Sequence, residues 1–222
     1  MIAERLRTHP RLTKVGTPAR MGINRFVAQW ASEDFTLDLG CGHSPYAPHF
    51  PRRVGFDWAV ARGVHVAGSA MVLPFRAESF GRILCTEVLE HVPEPQMMVD
   101  EMFRVLQVGG KAIVTTRFCY PLHLEPHDYF RFSVHGMRYL FRNYQIDSLE
   151  NDCSTISTAG ILLNSHFETA QTPWLVRTGW KAVWKFYRLW YRRGVERGEP
   201  NPEGQASSGL LLVATKTRSW KA

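Results

Sequence analysis

Leu37-Asp38-Leu39-Gly40-Cys41-Gly42, followed about twenty residues later by Val54-Gly55-Phe56-Asp57, decides how this chain reads. The first stretch is a short apolar strand running into a glycine turn, and the second is another short strand ending in a carboxylate. A nucleotide-like ligand needs both. Bare backbone lets it approach, and an acid at a strand end accepts hydrogen bonds from ribose hydroxyls. Outward from this pair, strands are expected at Thr36–Leu39, Arg53–Phe56, Val64–Ala67, Arg82–Cys85, Lys111–Thr115, Gln145–Leu149 and Leu210–Thr215. The clearest helix is Pro95–Leu106, with Met98, Met102, Val105 and Leu106 on one face and Gly109-Gly110 turning the chain after it. The connections through Ser44-Pro45-Tyr46 and Trp58–Gly63 leave little room for full helices, and Arg193–Ser208 reads as an exposed loop. The layout is α/β: an open, seven-stranded, mostly parallel sheet with helices on both faces.

Bulk properties narrow the function classes. At 222 residues the chain can bury a substantial core as one domain with appendages. Residues 1–34 read as a helical leader or lid and 35–222 as the main domain, with a basic aromatic helix, 173–193, inserted before the last strand. No apolar run approaches a membrane span, and the first residues lack a secretory pattern. Cys41, Cys85, Cys119 and Cys153 are widely spaced, which indicates neither a zinc site nor a disulfide framework; a reduced, cytoplasmic setting fits. The net charge of +7 is concentrated on the leader and on Pro173–Arg193.

Further motifs follow the glycine turn in order: Leu73-Pro74-Phe75, Glu87-Val88-Leu89-Glu90-His91-Val92, Arg104-Val105-Leu106 and Gly109-Gly110. From Phe35 to Tyr144 they resemble the Rossmann-like, class I S-adenosylmethionine (SAM)-dependent methyltransferases, in the type 11 branch. The resemblance implies that Asp38, Gly40, Cys41, Gly42, Asp57, Trp58, Ser69, Ala70, Met71, Cys85, Thr86 and Glu87 hold SAM. Gly40 and Gly42 let the turn lie along the methionine tail, with amides facing its carboxylate. Asp38 orients the turn or reaches the ammonium group through an intermediary. Asp57 takes the ribose hydroxyls, and Trp58 offers an apolar face to adenine. Two positions depart from the pattern: Ser44 replaces a turn glycine, and Ser69 replaces an acid that contacts the adenine amino group. The turn also lacks the third glycine of a nicotinamide dinucleotide site.

Methyl transfer to a hydroxyl needs alignment and a base. His123-Leu124-Glu125-Pro126-His127-Asp128-Tyr129-Phe130-Arg131-Phe132-Ser133 follows the fifth strand. It resembles a signature found in methyltransferases of glycan and surface-polysaccharide assembly. His127 or His123 could be the base, with Asp128 orienting it and Arg131 or Tyr129 gripping the acceptor. In the plainer reading, Tyr129, Phe130 and Phe132 fill the core while Asp128 pairs with Arg131. Glu87, Glu90 and His91 have the spacing of one face of a helical turn and resemble a metal-binding pattern that a later histidine, His123 or His127, completes. No metal is assigned, because such acids also cap helices.

In Trp174–Arg193, Trp180, Val183, Trp184, Tyr187 and Tyr191 share one helical face, and Lys181, Lys185, Arg188 and Arg192 another. This suits a lid over the acceptor pocket, or a helix lying on an anionic membrane. The expected function is methyl transfer from SAM to a hydroxyl, less so an amine or carbon, of a small molecule or a glycan that a lipid could carry. The alternatives are a catalytically silent binding or membrane-docking module and, more weakly, a metal-assisted nucleic-acid 2′-O-methyltransferase. No nucleic-acid recognition motif accompanies the basic charge, and nothing in the sequence indicates an oligomeric state.

Overall fold

The computed structural model describes residues 17–169, 172–196 and 206–220, so the first part of the leader and much of the expected Arg193–Ser208 loop lie outside the described residues. Helix α1, Pro18–Gln29, starts where the Thr17 hydroxyl accepts the Arg20 N–H and Pro18 takes the first helical position, where its missing N–H costs nothing. Strands β1 (Thr36–Leu39), β2 (Arg53–Asp57), β3 (Val66–Ala67) and β4 (Phe80–Thr86) follow. After them come α2 (Pro95–Val105), β5 (Leu106–Arg117), α3 (Val134–Leu140), β6 (Gln145–Asn151), α4 (Thr155–Thr169), α5 (Trp174–Glu196) and β7 (Gly209–Thr215). All seven expected strands form. The third is trimmed at its start because the Val64 N–H donates to Ala61 O in a turn.

The strands order as β3-β2-β1-β4-β5-β7-β6, with only β7 antiparallel to its neighbours. Alternation along each central strand assigns the two faces. Ile83, Cys85, Ala112, Val114, Leu210 and Leu212 pack under α2 and α3, against Met98, Met102, Phe103 and Met137. The residues between them, Leu84, Ile113, Leu211 and Val213, meet Ile23, Phe26 and Val27 of α1. Each of the buried Val, Leu, Ile, Phe and Met side chains among them contributes about 1.5–3 kcal/mol over exposure. The β1–β2 connection holds only a single turn, Ala47–His49, and Tyr46 and Phe50 beside it fill the space under α1.

A third cluster lies beyond α1, where Ile161 of α4 and Trp184 and Tyr191 of α5 close over Ala19 and Cys153. The helices touch at Gly160, where a Cβ would sit 2.2 Å from the Trp184 ring. Two expectations change here. Val183, assigned to the aromatic face of α5, is exposed, while Trp180, Trp184, Tyr187 and Tyr191 turn inward. The expected Arg193–Ser208 loop starts later, since α5 runs to Glu196, and its end is buried: Ser207 and Ser208 donate to Asp152 at 2.7 and 2.5 Å.

Candidate active site

The parallel strands end along one edge, where a doubly wound sheet opens over its ligand. A cavity of about 650 Å³ lies there, within the size range of small-molecule sites. Of the residues assigned to SAM, Gly40, Asp57, Trp58, Ser69, Ala70, Met71 and Glu87 line it, as do His127 and Tyr129 from the segment after β5. Asp38, Cys41, Gly42, Cys85, Thr86, His123, Asp128 and Arg131 stand outside the lining. Leu39, Phe56, Gly68, Val88, His91, Val92, Pro93 and Leu124 complete it. Leu39, Phe56, Val88, His91, Val92 and Leu124 lie within the quoted motifs, and Gly68 and Pro93 adjoin Ser69 and Val92, so motif position was the signal that could have placed them.

The glycine turn is shaped by β2. The Gly40 and Cys41 N–H groups both donate to Phe56 O, at 2.8 and 3.1 Å, and the Gly42 N–H donates to Asp57 Oδ2 at 2.8 Å. The amides expected to face a ligand carboxylate are therefore engaged within the protein. Gly40 has φ +70°, and a Cβ there would lie 2.2 Å from Val88 Cγ2, so only glycine fits. Gly42, at φ +50°, faces open space. Ser44 adopts φ +51° and donates from its hydroxyl to Asp38 Oδ2 at 3.3 Å. Asp38 is buried against Arg53 Nη1 at 3.3 Å, and so braces the turn from beneath. Burial pushes its carboxyl up to about 6, although Arg53 and Ser44 oppose the rise. The Ser69 hydroxyl accepts the Met71 N–H at 3.3 Å.

Glu87, Glu90 and His91 do not share a helical face. Glu87 has φ +59°, and only Leu89–His91 forms a short turn. Nor do the acids cap a helix. Glu87 accepts from Thr115 Oγ1 at 2.9 Å and pairs with the buried Arg117, which also reaches Asp152 at 3.3 Å. Glu90 accepts from Thr116 Oγ1 at 2.8 Å, and its other oxygen has no partner. Burial, with Glu87 nearby, pushes the Glu90 carboxyl up. His91 donates its Nδ1–H to His127 O at 2.6 Å, leaving an Nε2 lone pair 3.9 Å from Glu90 Oε1. Glu90, His91 and His123 offer ligand atoms within 4.8 Å of one another, the set with metal-binding chemistry among the described residues. Glu87 is not part of it.

In the 123–133 segment, Asp128 and Arg131 make a two-pronged ion pair at 2.6 and 2.7 Å. Arg131 also donates to the carbonyls of Tyr120 and Pro121, so its bonds are made within the protein. Asp128 accepts the His123 N–H at 2.8 Å and faces the His123 ring rather than His127. Burial raises its carboxyl, but Arg131 and the His123 amide outweigh that and hold it down to about 2. Burial, with His91 adding, pushes the His123 imidazole down to about 4. His127 stands at the cavity wall with Nδ1 2.9 Å from the Tyr129 hydroxyl and its ring edge-on to Trp58 at 5.5 Å. Phe132 is buried, whereas Tyr129 and Phe130 are exposed. His127 and Tyr129 thus stand on the cavity wall, while Asp128 and Arg131 build the segment that carries them.

Comparison with known proteins agrees with this architecture. A family profile described as a methyltransferase domain matches residues 37–114. An uncharacterised protein of Methanocaldococcus jannaschii is 35% identical over 86 residues, covering 35% of this chain and 42% of that protein. A ubiquinone biosynthesis O-methyltransferase of Psychrobacter cryohalolentis is 28% identical over 127 residues, covering 48% and 47%. The chain therefore spans less than half the length of these relatives. Among solved structures, a SAM-dependent methyltransferase of Thermotoga maritima, described as a possible histamine N-methyltransferase, superposes with a TM-score of 0.62 at 18% identity, over 97% of this chain and 98% of its own. The [4+2]-cyclase SpnF shares the fold at a TM-score of 0.56 and 18% identity, over 89% and 80%.

Proposed function

We propose that this chain, whose residues 37–114 match a methyltransferase-domain profile, is a Rossmann-like SAM-dependent methyltransferase that transfers a methyl group from SAM to a hydroxyl of a small molecule or glycan. The observation that carries the reading is a meeting in one cavity. The strand-end acid Asp57, the Gly40 turn and the His127–Tyr129 pair all line it. Bound SAM supplies a methyl group already activated as a sulfonium, so the protein must align two partners and accept one proton.

Asp57 keeps Oδ2 on the Gly42 amide and has Oδ1 for ribose hydroxyls, its own contact being a long one of 3.4 Å from the Ala59 N–H. Gly40 and Val88 line the cavity side by side, which the missing Cβ at Gly40 permits. Trp58 flanks the acid on the cavity wall. His127 donates Nδ1–H to the Tyr129 oxygen in one of its two neutral tautomers, and Nε2 then carries the lone pair. In that state Nε2 takes the acceptor's hydroxyl proton as the oxygen gains the methyl group, leaving a methyl ether.

Calorimetric titration with S-adenosylhomocysteine tests the cofactor half. Asp57→Ala should weaken binding about thirty-fold, the loss of about 2 kcal/mol of charge-assisted hydrogen bonding. Equal affinities in the two proteins would remove Asp57 from the site.

A further inference from the structure

Helix α5 has more apolar surface than its packing uses. Trp180, Trp184, Tyr187 and Tyr191 are spent on α1, α4 and the end of β5. A second stripe faces outward: Leu175, Val183, Phe186 and Trp190 are 65, 61, 74 and 58% exposed. Spaced eight, eleven and fifteen residues from the first, they follow the helical period and line one side. Gly179 lies in the same line, with nothing near a Cβ position. Exposed Arg177, Lys181 and Lys185 follow one another at four-residue spacing on a different side of the helix from this stripe, and no acidic residue occurs between Pro173 and Arg193.

We infer that α5 is a membrane-docking helix that lies flat on an anionic lipid surface, with Leu175, Val183, Phe186 and Trp190 in the headgroup–acyl boundary. Amphipathic helices of this composition bind by apolar burial plus attraction to anionic lipid. Charge selects this occupant. A second copy docked on the stripe would set two positively charged helices, acid-free from Trp174 to Arg193, side by side, whereas a lipid surface with negative headgroups attracts them. Among the described residues no helix is long and apolar enough to cross a membrane.

The inward side of the same helix joins the surface to the cavity edge. Trp180, Trp184 and Tyr187 belong to the same apolar cluster as Tyr120. That ring covers the Arg117 guanidinium at 4.1 Å and stands 5.2 Å from the His123 ring. Docking itself does not depend on methyl transfer. The added consequence, that an acceptor carried on a lipid would arrive at this edge, rests on the methyltransferase reading.

Co-sedimentation with phosphatidylcholine vesicles, with and without phosphatidylglycerol, tests docking. The native chain should bind the phosphatidylglycerol vesicles, and binding should fall with salt. Lys181→Glu with Lys185→Glu should weaken it at least thirty-fold, and Phe186→Ser with Trp190→Ser at least ten-fold. All four side chains are exposed, so melting temperatures should be kept and would report any misfolding. No vesicle binding by the native chain, or equal binding by the charge-reversed variant, overturns the proposal. So does dimerisation in gel filtration that Phe186→Ser abolishes, or capture by an acidic protein without lipid binding. S-adenosylhomocysteine affinity on the same samples separates failure of docking from failure of the catalytic reading.

Discussion

Two parts of the cavity wall are held by different means. On the side of Gly40 and Asp57, main-chain bonds between adjacent strand ends set the shape: the Gly40 and Cys41 amides on Phe56 O, and the Gly42 amide on Asp57. Around His127, a segment without regular structure is held by side-chain ion pairing as well as by main-chain bonds. Asp128 and Arg131 pair inside it, and the Tyr129 and Phe130 amides donate to Glu90 O at 2.8 and 3.2 Å. A wall fixed by backbone tolerates side-chain change except where space is absent. A wall fixed by ion pairs can change its reactive tip while keeping its frame.

The largest effect should come from the reactive tip. His127→Gln should lower labelled methyl transfer by about 100-fold or more, the range for loss of a general base, while S-adenosylhomocysteine affinity stays near native. A parallel loss of affinity would place His127 in the cofactor wall and erase the contrast. On the backbone side, Gly40→Ala should cost about 3 kcal/mol in urea unfolding, since the new Cβ meets Val88 and φ is positive. Gly42→Ala should cost only about 1 kcal/mol, because it meets open space and carries the backbone penalty alone. Similar losses at both glycines would mean that conformation rather than contact with Val88 governs the turn.

The acid beneath the turn gives a pH test. The folded Asp38 carboxyl, at about 6, lies above its ordinary value of 3.8, so the folded chain holds this proton more tightly than the unfolded one. The stabilisation is fully present below 3.8 and lost as pH rises through 6. Asp38→Asn cannot titrate. Between pH 4 and 6.5 its unfolding free energy should gain about 2–3 kcal/mol on that of the native chain. Parallel curves would show that Arg53 neutralises the acid despite its burial.

The strand pattern and the Gly40–Asp57 pair were legible because strand periodicity and a strand-end acid are local in sequence and repeat down the chain. The role of Asp38 was half legible: its strand position was clear, but its partner Arg53 depends on how β1 and β2 pair. Glu87 and Glu90 misled as helix-spaced acids, because the pull of Thr115, Thr116 and Arg117 on β5 decides where they point. That attraction joins residues far apart in the chain. For α5, the aromatic run was plain, yet Val183 and Phe186 could be assigned to a side only once Gly160 brought α4 against Trp184.

Alternating apolar residues, glycine placement and motif order were therefore enough to establish an α/β sheet with a nucleotide-type edge, since each works through the local backbone. Packing alone settled which imidazole reaches the cavity, which carboxylates pair internally and which stripe of α5 stays outside. Those outcomes turn on rotamers and on charge partners that meet only when separate strands and helices are brought together.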